Sequence, residues 1–76
     1  MLSKKSFTYV YHESSGRSHV FSGRFNTINE AKTALFKKID DSGWNRKISK
    51  VIEDDLIHFR AECSDGSSMY IGWNPI

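Results

Sequence analysis

Apolar and polar residues alternate from Ser6 to His12, with Phe7, Tyr9 and Tyr11 on one side and Thr8, Val10 and His12 on the other. A period of two is that of a half-buried strand. Ser14-Ser15-Gly16-Arg17 interrupts it as a loop, and His19 to Phe25 resumes it with Phe21 and Phe25 on a common face. The spacing predicts a β-hairpin. At Thr27 the period changes. Thr27 and Glu30 make a capping-box pair, the hydroxyl accepting from the amide of the glutamate. Ile28, Ala31, Leu35 and Ile39 follow as one apolar helical stripe, with Glu30, Thr33 and Lys37 on the opposite side. Asp40-Asp41-Ser42-Gly43 ends the helix, with Gly43 as a left-handed cap.

Alternation then returns. Lys47 to Glu53, Leu56 to Cys63 and Ser68 to Trp73 read as three strands, separated by turns at Asp54-Asp55 and at Ser64-Asp65-Gly66-Ser67. Ile57, Phe59, Ala61 and Cys63 share one face, as do Met69, Ile71 and Trp73, which places Trp73 in the core. The order β-β-α-β-β-β predicts an α+β fold, one helix packed on a single antiparallel sheet, as a single domain over residues 1–76. One helix covers one face, so the other face is expected to stay largely open.

Composition narrows this picture. A chain of 76 residues buries only about 60–65% of its unfolded surface, so its core must be dense in large side chains. Ten aromatic residues meet that need. Cys63 is the single cysteine, which excludes an internal disulfide; on a face with Ile57 and Phe59 it reads as an inert core thiol. No apolar run approaches the roughly 20 residues of a membrane helix, and the first residues lack the apolar core of a signal peptide. A reducing, cytoplasmic setting is expected.

Charge is segregated along the chain. Residues 1–50 hold ten basic and four acidic side chains, whereas residues 51–76 hold one basic and five acidic. Lys5, Arg17, Arg24, Arg46, Lys47 and Lys50 fall in or beside the first, second and third predicted strands. If those strands adjoin, their open face is a basic wall for phosphates, assisted by Tyr11 and His12, with Glu53, Asp54, Asp55, Glu62 and Asp65 turned away. The plainer reading is a sheet with ordinary solvated lysines. A second candidate patch needs the last two strands to pair. Tyr70 would then stand beside His58 and Arg60, with Asp54 and Asp55 in the adjoining turn, a composition common in protein-contact hot spots.

Catalytic chemistry finds little support. His58 and Cys63 are an odd number of residues apart in one strand and face opposite ways. The paired carboxylates sit where the chain turns, and the glycines are scattered singly, without a phosphate loop. His12 and His19 would face each other across the hairpin, yet two ligands do not make a zinc site. The expectation is a non-enzymatic protein without metal or cofactor.

Tyr9-Val10-Tyr11, the Gly16-Arg17 turn, Gly23-Arg24-Phe25-Asn26-Thr27 and Glu30-Ala31 resemble the arm-DNA-binding domains of phage tyrosine recombinases. Over residues 9–31 the resemblance implies a sheet that enters the DNA major groove. Beyond the helix the sequence departs from that family, because further strands stand where a linker and catalytic core would follow. As a class, the whole chain is similar to small phage proteins such as anti-CRISPR proteins, which implies a host protein or ribonucleoprotein whose functional surface is blocked. The first reading is therefore a binding module presenting a basic sheet face to a polyanion, nucleic acid above all. The alternative is an inhibitor of a host complex; a homodimer through an uncovered edge strand is a further expectation.

Overall fold

The computed structural model describes residues 5–45 and 47–74. Its elements are β1 (Lys5–His12), β2 (Ser18–Phe25), α1 (Ile28–Ser42), β3 (Ile48–Asp54), β4 (His58–Cys63) and β5 (Ser68–Trp73). The strands form one antiparallel sheet in the order β2-β1-β5-β4-β3, with α1 on one face. This is the α+β arrangement that the periodicity predicts. The differences lie at strand ends: Leu56 and Ile57 belong to the β3–β4 turn.

Local chemistry explains the connections. In the β1–β2 hairpin the Glu13 N–H donates to the Arg17 carbonyl at 2.8 Å and the Gly16 N–H to the Glu13 carbonyl at 2.9 Å. The β4–β5 hairpin repeats the pattern, with Cys63 N–H to Ser67 at 2.8 Å and Gly66 N–H to Cys63 at 3.2 Å. Both are three-residue loops ending in a glycine bulge. At the start of α1, Thr27 is extended and its Oγ1 accepts from the Glu30 N–H at 3.4 Å. At the end, Gly43 adopts φ +72°, its N–H reaches the Asp40 carbonyl, and the Trp44 N–H reaches the Ile39 carbonyl at 3.0 Å. These bonds satisfy carbonyls that the helix leaves unpaired.

Phe7, Tyr9 and Tyr11 of β1 form the spine of the core, under Ile28, Ala31, Leu35 and Ile39 of α1 and beside Met69 and Ile71 of β5. Each large side chain buried this way contributes about 1.5–3 kcal/mol. Trp44 closes one end, stacking on Tyr11 (5.0 Å, 5°) and on His19 (4.1 Å, 26°). The Tyr11 hydroxyl donates to the Asn45 carbonyl at 2.6 Å, and burial pushes its phenol above the ordinary value.

Coverage is uneven. α1 packs mainly on β1, β2 and β5. Beyond it, Ile48 and Val51 of β3 are exposed on the helix side, and Leu56 in the turn is 86% exposed. Trp73 shares its face with Met69 and Ile71 as expected but is not in the core: it ends β5 and is 38% exposed.

Candidate functional site

The cross-strand register lays out the open face as a grid. From β2 to β3, one row reads Val20, Val10, Tyr70, Arg60, Glu53, and the next reads Ser18, His12, Ser68, Glu62, Lys50. A third runs Ser22, Thr8, Gly72, His58. Tyr70 holds the centre.

Tyr70 and Gly72 are two residues apart on the same face of β5. A Cβ at Gly72 would meet the Tyr70 ring carbon Cζ at 2.8 Å and the hydroxyl oxygen closer still. The ring therefore lies down along the strand across the glycine instead of standing off the sheet. The Arg60 guanidinium is 5.3 Å from the ring centre, and the His58 ring is 6.3 Å away. Because Tyr70 leans toward Gly72, a hollow of about 380 Å³ opens on its other side, between Val10, His12, Ile52, Arg60 and Glu62. The structure thus brings together the three residues of the second candidate patch. The sequence signal for the ring's posture was the Tyr-x-Gly spacing within a strand, which periodicity alone does not single out.

Of the acidic residues expected near that patch, Asp54 is turned away and Asp55 stays beside it, its Oδ1 3.9 Å from His58 Nδ1. Asp54 faces the helix side, where Lys32 Nζ meets its Oδ1 at 2.7 Å while lying 4.5 Å above the Phe59 ring. Asp55 caps its own turn: its Oδ1 accepts from the Ile57 N–H at 2.9 Å and from the His58 N–H at 2.7 Å, which hold its carboxyl below the usual range. At the opposite end of the sheet, Asp65 is pushed down to about 2 by the hydroxyl and N–H of Ser67 and by the side chain of Asn45.

The six basic candidates are dispersed. β1 and β2 adjoin, but β3 is at the far edge, four strand spacings or about 19 Å from β2. Arg24 is on the open face at the β2 edge, and Lys50 is on the same face at the β3 edge. Lys5 lies on the helix side, in a cleft with Thr27, Ile28, Leu56 and Ile57. Arg17 is in the β1–β2 turn and Lys47 precedes β3. Arg46 lies outside the described residues. Nor do the acids turn away: Glu62 is opposite Lys50 and Glu53 is opposite Arg60. Sequence segregation became spatial mixing because β3, basic at its start and acidic at its end, pairs with a strand of both signs.

His12 and His19 do not face each other. His12 is opposite Ser18 on the open face, where its Nδ1 and Ser18 Oγ are 2.6 Å apart, while His19 is opposite Tyr11 on the helix side and pairs with Glu13 at 2.6 Å. His58 and the buried Cys63 do occupy opposite faces. Among the described residues, Glu53, Asp55 and His58 bring ligand atoms within 4.8 Å of one another, a grouping across a turn that histidine spacing could not reveal. Asp55 already spends an oxygen on the turn amides, so tight-turn chemistry accounts for the cluster.

No family model, no curated protein and no solved structure matches the chain.

Proposed function

We propose that this chain is a non-enzymatic binding module that engages a partner protein through its open sheet face, with Tyr70 as the anchor. The observation that carries the reading is the Tyr70 ring laid across Gly72 and flanked by Arg60 and His58. An aromatic held in place has little rotamer freedom left to lose on binding, and Tyr and Arg are the side chains that most often dominate contact energies. Exposed Val20 and Ile52 add apolar area on either side of it, and the serines of β2 and β5 add hydrogen-bonding groups. Occupying a partner's surface in this way is how the small phage inhibitors that the chain resembles as a class act.

Nucleic acid is the second reading. Arg24, Arg60 and Lys50 share the open face, and an aromatic platform there suits a base. The opposed Glu53 and Glu62, and the place of Lys5 on the helix side and of Arg17 in the hairpin turn, weigh against it. A second copy of the chain is a further partner we propose, at an edge of the sheet instead of this face.

Capture from nuclease-treated host lysate, with the unaltered chain beside Tyr70→Ala, Arg60→Ala and the helix-side control Val51→Ala, tests the reading. A protein held by the unaltered chain and by Val51→Ala, but lost with both open-face variants, supports it. Capture abolished by nuclease, with retardation of oligonucleotides that weakens steeply as salt rises, restores nucleic acid as the partner.

A further inference from the structure

We propose that β2 is a self-pairing edge, through which two copies of this chain join antiparallel into one continuous ten-stranded sheet. The β1–β2 hairpin bond sets the geometry. Because Glu13 N–H donates to the Arg17 carbonyl, odd-numbered β2 residues bond inward to β1. The N–H and C=O groups of Ser18, Val20, Ser22 and Arg24 therefore point out of the sheet, four donors and four acceptors in an unbroken row.

The two edges of the sheet are treated differently. β3 carries two register shifts, one between Ile48 and Lys50 and one between Val51 and Glu53. Bulges of this kind twist an edge away from a would-be partner. β2 pairs with β1 in unbroken register from Ser18 to Phe25 and has no bulge or proline. Its middle residue on the open face, Val20, is 66% exposed.

The occupant that fits is β2 of a second copy, about a two-fold axis perpendicular to the sheet at Phe21. Ser18 then pairs with Arg24 of the other copy, and Val20 with Ser22, so no like charges are opposed. The two Phe21 rings meet at a non-hydrogen-bonded position, where side chains approach most closely. Phe21 is half-buried and already packs on Tyr9 at 5.5 Å, so the junction extends the existing core edge. The contact is isologous and closes as a dimer, which leaves both Tyr70 surfaces free.

Sedimentation of the unaltered chain across a concentration series should show a monomer–dimer equilibrium. Val20→Pro removes one outward donor, at an edge position where proline does not disturb pairing with β1, and should weaken the dimer at least about a hundredfold with the circular dichroism spectrum retained. Oxidative cross-linking reads the register without depending on that variant. Val20→Cys with Ser22→Cys should form a covalent dimer, whereas either change alone should not. Cross-linking by Ser22→Cys alone, or by Val20→Cys alone, would overturn the Phe21 axis in favour of a neighbouring register. A chain that stays monomeric up to about 1 mM, or one whose dimer is untouched by Val20→Pro, would overturn the edge itself. Loss of partner capture in the Tyr70 experiment leaves this proposal standing, and the reverse also holds.

Discussion

Under α1, Phe7, Tyr11, Leu35 and Ile39 are sealed from water, whereas Ile48 and Val51 on the β3 side of the same face stay in contact with it. The residue types hardly differ; the cover does. A helix about 10 Å across spans two to three strands at roughly 4.8 Å spacing, so one helix cannot roof five. Stability therefore concentrates in β1, β5, β4 and α1, whose inward side chains fill the core, and β3 is attached through β4 and by the reach of Lys32 to Asp54. A fold that needs only part of its surface for its core leaves the open face and the β2 edge available for contact.

The sharpest way to break this comparison is to truncate one apolar residue in each region. Leu35→Ala should cost about 2–5 kcal/mol in urea unfolding, while Val51→Ala should stay within about 0.5 kcal/mol. Equal losses would mean that the β3 side is as much core as the roofed side. Next in size is the helix end. Gly43→Ala forces a Cβ into φ +72° and should cost about 1–2 kcal/mol, read from the same denaturation midpoint at unchanged slope. Smaller again is the tie between the two regions. Lys32→Ala removes a partly exposed ion pair together with a cation–ring contact and should cost about 0.2–1 kcal/mol, with faster amide exchange in β3 than in β1 as the telling sign.

The weakest effect is a pH dependence at the β4–β5 turn. Asp65 has a folded-state pKa of about 2 against an ordinary 3.8, so its contribution is present above pH 4 and is lost as pH falls through the folded value. An Asp65→Asn variant should show a shallower stability decline between pH 4 and pH 2, and an unchanged slope there would remove the Ser67 bonds from the account.

Most of the fold was legible because its signals are local. The stripe Ile28, Ala31, Leu35, Ile39 is the set of helix residues that the structure buries, and it is capped by the Thr27 hydroxyl and by the left-handed backbone of Gly43, as the residue types suggest. The candidate site divides along the same line. That His58 and Arg60 stand beside Tyr70 followed from the pairing of two consecutive strands. The basic wall did not form, because it required β3 to adjoin a strand that is distant in sequence.

Periodicity, caps and turn residues by themselves determined what each segment is and which side chains it turns inward, since those preferences act over a few residues. The tertiary structure alone decided that β5 inserts between β1 and β4, that charges separated in sequence meet across β3 and β4, and that Trp73 is left partly exposed outside the core while Tyr70 lies at the centre of the open face. Those outcomes depend on which strands become neighbours. Strand order is chosen by how the whole set of apolar faces is buried at once, a sum that no single segment carries.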